Sequence, residues 1–584
     1  MEHTCLNCLK SDGQLFCEEN NKANIFCGVP CQQLFKGIGR SIWLDLKRYT
    51  QPNTPPLILW NMIVKNNLTP AEIVMDFFNY NNVPNEEIEQ HNEQIKIMLK
   101  WLYNNQKFLE TNWKISFSDF IEKVVVFVIR IDSIEAMKWL IKVFIINPAM
   151  NDNSLIRTAS RWGRVNIVNL LLLEHPDVDP SARDNKAIRL ASENGHVEIV
   201  SLLLQDKRVN PSARDNQAIR LASENGHVEI VSLLLQDKRV DPSAWNNQAI
   251  KWASENGHLE VVRILLQDKR VDPSAGDNYA IKYASLNGQT EIVRMLLQDE
   301  RVDPSSYDNN LVIRLASQRG YTEIVRILLQ DVRVDPSADN NDAINLACEY
   351  GHTEVVRELL KHPRVDPSVC DNQAISWASE KGHTEVVRLL LQDVRVDPSA
   401  MNNYAIKWAS YNGRTEVVRI LLHDKCVDPS AGDNYAIKYA SLNGHTEVVR
   451  MLLQDDRVDP SARDNQAIKW ASSSSSGYTE IVRELLQDER VDPSADNNDA
   501  INLACEYGHT EVVRMLVQDK HVDPSVCDNQ AIKWASSSGH TEVVRILLQD
   551  ERVLSTMTPE LFNLLQEIIQ EEQQGPVKRV KRKN

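Results

Sequence analysis

No stretch of this sequence is apolar for long enough to cross a membrane as a helix. The most apolar run, VVVFVI at 124–129, stops at Arg130 and Asp132, far short of the roughly 20 residues such a span needs. The opening MEHTCLNCLK lacks the basic start and apolar stretch of a secretory signal. An excess of positive charge is missing too. Lys and Arg number 65 against 81 Asp and Glu, a formal net charge of -16, so coating nucleic acid or an anionic membrane is disfavoured as a main role. No nucleotide-binding loop and no nucleophile–base motif appears, which speaks against an enzyme. The rest of the composition, 42% hydrophobic and 25% charged, is that of a folded protein. The expected setting is intracellular, cytoplasmic or nuclear, with no membrane partner.

What is present is repetition. Residues 246–275 read NNQAIKWASENGHLEVVRILLQDKRVDPSA, and close copies recur on both sides. Prolines of the Asp-Pro or Asn-Pro step fall at 180, 211, 242 and 273 and continue at nearly the same interval to 524. A fixed period near 31 residues marks a solenoid of stacked units, in which length adds surface without adding a new core.

Within one unit, Gln248 to Glu255 suits a short helix with Ile250 and Ala253 on one face. Asn256-Gly257 should stop it, because both residues tolerate left-handed backbone. A second helix follows from about Leu259 to Gln267, and Val261, Val262, Ile264, Leu265 and Leu266 suggest burial on two sides. Glu260 is within reach of Arg263. Asp272-Pro273 then breaks the helix. Ala249 and Ala253 keep the first helix thin enough for close neighbours.

NGHLEVVRILLQ and AIKWAS resemble the second helix and the T-P-L-H-x-A-A segment of the ankyrin repeat. The resemblance covers residues 150–553 and departs from the family in having Gln248-Ala249-Ile250-Lys251 for Thr-Pro-Leu-His and a shorter period, which implies a tighter hairpin loop. Short units with VDPSA loops look like those of ankyrin proteins of giant DNA viruses and some protists, which would place the chain in a host cell. The resemblance implies an all-α ankyrin solenoid of about thirteen helix-turn-helix units over 151–553. A helical region over 41–150, ending in a worn capping repeat at 134–148, precedes them. A capping helix over 554–575, with Leu561, Leu564, Leu565 and Ile568 on one face, follows.

Repeated polar residues read mainly as structure. His196, His227, His258, His352, His383, His445, His509 and His540 share one Gly-His position, so they should pin the turn between helices. Lys or Arg after the isoleucine (Arg189, Arg220, Lys251, Lys282, Arg314, Lys407, Lys438, Lys469, Lys533) should form a solvated, charge-balanced face. Trp252, Trp377, Trp408, Trp470 and Trp534 should be packing. The position before each Asp/Asn-Asn pair varies instead, and includes Arg183, Arg214, Trp245, Tyr307, Met401 and Arg463. Trp, Tyr, Met and Arg are enriched where proteins meet, so these six are the candidate partner-binding residues. Neutral drift at a tolerant loop is the alternative.

The ends differ from the repeats. Of ten cysteines, five lie in residues 5–31. Cys5-x2-Cys8 and Cys27-x3-Cys31 form two chelating pairs, the set a tetrahedral zinc prefers, whereas disulfides would need an oxidising compartment. IFCGVPCQQLF resembles part of a MYND-type zinc finger. Of the second metal site in that family only Cys17 remains, so one zinc is expected in a small module over 1–40. The tail over 576–584 carries Lys578, Arg579, Lys581, Arg582 and Lys583, a pattern read by nuclear import receptors; a solubilising basic tail is the plainer alternative. The functional expectation is a scaffold that binds a partner protein along the concave face, or alternatively a substrate adaptor that recruits ubiquitin-ligase subunits.

Overall fold

The structure is a computed structural model that describes residues 124–573, apart from 127, 131, 306–309 and 475–476. The zinc module, most of the helical region before the repeats, Tyr307 and the basic tail lie outside the described residues. Among those described, every regular element is a helix.

Thirteen helix pairs follow one another, from Met150–Arg161 with Val165–Glu174 to Val526–Ser537 with Thr541–Leu547. The helix Ile134–Val143 precedes them, and Glu551–Thr556 and Pro559–Gln573 follow. The chain divides into two compact units, one ending at Gly276 and one beginning at Asp277.

In the first compact unit, the pair Ala244–Glu255 and Leu259–Gln267 shows how a repeat is built. Ala249, Ile250 and Ala253 of the first helix, Val261, Val262 and Leu265 of the second, and Val271 beyond it are fully buried. Each Val, Leu or Ile side chain removed from water contributes about 1.5–3 kcal/mol before the entropy cost of ordering it. Ile264 and Leu266 are only half-buried. The second helix therefore buries one broad face, not two sides, and leaves Arg263 in solvent to pair with Glu260 at 3.2 Å.

The first helix does not begin as an ordinary N-terminus. Trp245, Asn246 and Asn247 all have left-handed backbone, with φ near +56° to +59°, and only after Asn247 does right-handed helix start. Left-handed backbone costs roughly 1–2 kcal/mol per residue with a Cβ, less for Asn and Asp. Asn and Asp fill the second and third places in every unit. The turn is closed by the Asn247 N–H donating to the Ser243 carbonyl at 2.7 Å.

Two further turns join the helices. Asp272 accepts through Oδ1 from the backbone N–H of Ser274 at 3.0 Å and from its hydroxyl at 2.6 Å. This makes Asp-Pro-Ser a self-bonded turn and not merely a helix break. At the other turn Asn256 stays right-handed and Gly257 alone takes φ +83°, because the left-handed step is needed only once.

The second compact unit repeats this plan through the other nine pairs. At its end Leu565 is buried, but Leu564 is 53% exposed, so Leu564 does not share the buried face expected of it; the side chain of Ile568 lies outside the described ones. Val553 is buried, and Asn529 Nδ2 donates to the Thr556 hydroxyl at 3.0 Å.

Candidate interaction surface

Two sets of polar groups fasten one repeat to the one before it, and a third set works at the loop edge. His227 Nε2 lies 3.1 Å from the Glu193 carbonyl; a carbonyl only accepts, so Nε2 carries the proton. The ring covers Gly195, whose missing Cβ would sit 2.7 Å from it. The Gly-His position thus ties two units together, where the sequence suggested a bond within one turn. Tyr321, Arg414 and Tyr478 fill the same place against Gly288, Gly382 and Gly444. Arg270 grips Asp268 at 2.6 Å and donates to the Val240 carbonyl at 2.6 Å, an arm that sequence reading passed over.

The third set corrects an expectation. The basic residues after the isoleucine are not a uniformly solvated face: Arg189, Arg220 and Lys438 are buried. Arg220 donates to the carbonyls of Arg214 at 3.1 Å and Asp215 at 3.0 Å, so it caps the left-handed turn of its own unit. The penalty of that turn is met by charge-assisted bonds.

These residues also meet the variable loop position of the following unit. The Arg220 guanidinium lies over the Trp245 ring at 4.8 Å. Arg314 pairs with Asp339 at 2.8 Å, and Lys469 with Asp496 at 2.9 Å. At Gly432 a Cβ would sit 3.1 Å from Lys407 Nζ. The variable position is also linked backwards. Arg183 pairs with Asp152 at 2.5 Å, Arg214 with Asp184 at 3.1 Å and Arg463 with Asp433 at 2.7 Å, and Trp245 Nε1 donates to Asp215 at 3.0 Å. Variation at this loop edge is therefore matched to the neighbouring repeats. None of its described occupants is β-branched, in keeping with its positive φ.

Of the six candidate partner residues, Trp245 and Met401 are the exposed apolar ones, at 63% and 56%, although Trp245 is also tied to Asp215 and Arg220. Arg183, Arg214 and Arg463 are exposed but already paired. Tyr307 is outside the described residues.

A second feature, which the sequence did not single out, lies on three successive first helices, Ala400–Tyr411, Ala431–Leu442 and Ala462–Ser473. Tyr404, Trp408 and Tyr411 follow at helical spacing on one, Tyr435 and Tyr439 on the next, and Trp470 on the third. All six are half-buried. Trp408 lies 5.5 Å from Tyr404, 5.0 Å from Tyr411 and 6.4 Å from Tyr435. Tyr435 stacks on Tyr439 at 3.9 Å, and Tyr439 meets Trp470 edge-on at 4.9 Å. Trp408 and Trp470 do pack against neighbouring rings, and they stay half-exposed as parts of an aromatic strip. Burial and the neighbouring tyrosines push the Tyr435 hydroxyl up to about 12. The signal was in the sequence as aromatics recurring one unit apart, but only stacking makes them neighbours.

A family profile described as Ankyrin repeats (3 copies) matches in overlapping windows from 157–246 to 219–308 and from 313–402 to 468–556. The chain belongs to the ankyrin-repeat family. No curated protein matches it. Its ankyrin units offer no sign of a metal centre: among the described residues, no group of three or more His, Cys, Asp or Glu side chains is placed to hold an ion. Burial pushes up the thiols of Cys348 and Cys505, and Cys370, Cys426 and Cys527 are exposed and unbridged. No described helix of the ankyrin array is long and apolar enough to cross a membrane.

Proposed function

We propose that this ankyrin-repeat protein is an interaction scaffold that docks a partner protein on the face formed by its first helices and loop edge. The observation that carries the reading is the aromatic strip, in which six half-buried aromatic side chains cross three repeats. Trp and Tyr dominate binding energy where proteins meet, because they contribute large area with few rotamers to freeze. Exposed Met401 extends the candidate surface at the loop edge, and exposed Trp245 is a loop-edge candidate on the first compact unit. Affinity capture with the intact chain, compared with the Trp408→Ala/Trp470→Ala and Trp245→Ala/Met401→Ala variants, tests it. Loss of the same captured protein in a variant that melts normally supports the scaffold; identical capture by all three chains refutes this surface.

The more specific version is a ubiquitin-ligase substrate adaptor, which requires ligase subunits among the captured proteins. The remaining proposals rest on sequence alone. Cys5, Cys8, Cys27 and Cys31 would hold one zinc, to be measured by elemental analysis as about one ion per chain. Lys578, Arg579, Lys581, Arg582 and Lys583 would engage an import receptor, to be tested by fusing residues 575–584 to a cytoplasmic reporter.

A further inference from the structure

The aromatic strip carries an unbalanced charge. Lys407 and Lys438 stand at the same position of successive first helices, next in sequence to Trp408 and Tyr439. Lys407 Nζ lies 5.9 Å from the centre of the Tyr435 ring, and Lys438 is only 4% exposed. Neither makes an ion pair, although other basic groups around them do. Lys469 is taken by Asp496 at 2.9 Å, Arg463 by Asp433 at 2.7 Å and Lys381 by Glu380 at 3.2 Å.

The carboxylates at the two ends of the strip are thereby engaged. Glu380 also accepts from the Tyr404 hydroxyl at 3.2 Å. Asp428, which faces Lys407 at longer range, already accepts from Ser430. Two ammonium groups beside the strip are left with no carboxylate of their own, since Asp433, which faces Lys438 at longer range, is already held by Arg463. Burial lowers the pKa of both; Arg463 adds to the effect on Lys438, while Asp433 opposes it there and Asp428 opposes it at Lys407. A mostly buried cation without a partner is a cost that a ligand carboxylate would relieve.

We infer that the strip formed by Tyr404, Trp408, Tyr435, Lys438, Tyr439 and Trp470 binds an acidic, extended peptide segment of the partner. A carboxylate lies between Lys407 and Lys438, and flanking rings of the peptide stack on Trp408 and Trp470. The inference rests on the scaffold reading and adds the chemical class of the partner.

The chain contains its own control. Residues 275–288 repeat 431–444 residue for residue, so Tyr279, Lys282 and Tyr283 copy Tyr435, Lys438 and Tyr439. Tyr279 and Tyr283 stack at 4.0 Å, as their copies do. The flanks differ. Gln248 and Glu255 stand where the strip has Tyr404 and Tyr411, and Leu315 stands in the place of Trp470. The copy has the lysine with a reduced platform: Trp252 keeps the place of Trp408, but the counterparts of Tyr404, Tyr411 and Trp470 are not aromatic.

The test uses the intact chain and three fluorescein-labelled dodecapeptides that share the same tyrosines and prolines. Their remaining positions are all glutamate, all glutamine or all lysine, and binding is followed by anisotropy. The glutamate peptide is expected to bind about tenfold more tightly than the glutamine peptide at low salt, and the lysine peptide more weakly than both. Lys438→Met should reduce that preference to within about twofold, Lys282→Met should leave it intact, and Trp408→Ala should weaken the glutamate and glutamine peptides alike. If Lys438→Met melts early, loss of the preference on adding salt to the wild-type chain serves in its place. Equal binding of the glutamate and glutamine peptides overturns the inference. So does a preference that persists in a folded Lys438→Met chain. If that equal binding is still abolished by Trp408→Ala, the strip remains a docking surface and the scaffold reading stands. Binding of no peptide overturns the acidic-segment inference, and the capture experiment then decides the scaffold reading by itself.

Discussion

Asn247 Oδ1 accepts a hydrogen bond from the backbone N–H of Asp272 at 2.7 Å, tying the left-handed start of one helix to the turn that closes the same repeat. The contact recurs as Asn216 with Asp241 and, in the second compact unit, as Asn403 with Asp428. These asparagines are buried, so one side chain both permits a left-handed step and satisfies a sheltered backbone donor.

Asn247→Ala removes both services. The cost should be about 2 kcal/mol, the sum of an orphaned N–H and a less tolerant left-handed residue. Asn247→Asp keeps an acceptor and should lose less. Urea unfolding of the two variants checks the order, and an unchanged midpoint for Asn247→Ala would sink the account.

Gly195 and Gly539 have the same φ, +81°, but different surroundings. The ring of His227 covers Gly195, whereas nothing lies within 4 Å of a Cβ on Gly539. Gly539→Ala should therefore cost only the left-handed backbone term, about 1–2 kcal/mol. Gly195→Ala must also displace the histidine and should cost more. Chemical denaturation of the two variants reads the difference, which His227→Ala in the Gly195→Ala background should narrow. Equal losses would show that the histidine contact contributes nothing.

The arginine arm is missing from some repeats, among them the one with Cys426. Arg395 and Arg457 each donate to a valine carbonyl of the preceding repeat, Val365 and Val427, at 2.7 Å. Cys426 stands in that place between them and is exposed, with its N–H donating to Asp424 at 2.8 Å. Cys426→Arg should let the guanidinium reach both Asp424 and the Val396 carbonyl. A gain of about 1 kcal/mol is expected for such charge-assisted bonds, seen as a higher melting temperature. A lower one refutes it.

Acid should act on the same arms. Hydrogen bonding from Arg239, Arg270, Arg395 and Arg490 holds Asp237, Asp268, Asp393 and Asp488 below their ordinary value of 3.8. A depressed carboxylate contributes stability that is complete above 3.8 and is lost as pH falls through its folded value. His445 and His509 are held below 6.5, chiefly by burial, so the unfolded chain gains protons first and stability starts to decline below 6.5. Burial raises Glu224 and Asp499, which oppose the trend, but the arginine-bound aspartates outnumber them. The unfolding midpoint should fall gently below pH 6.5 and steeply below 3.8. Stability that rose on acidification through that second window would contradict the arginine assignment.

The period, the helix pairs and the buried positions Ala249, Ile250, Ala253, Val261, Val262 and Leu265 were legible in the sequence, because helical periodicity and turn residues are local properties repeated many times over. Family membership follows from the same repetition. Local pattern could not show that Arg220 caps a left-handed turn, that His227 reaches back to Glu193, or that Arg270 reaches Val240. A polar residue has the same hydrophilic signature whether it faces water or satisfies a carbonyl of the previous repeat. Nor could it show that Trp408, Tyr435, Tyr439 and Trp470 form one strip. Those residues come from three helices separated by about thirty residues each, and stacking alone sets their distances.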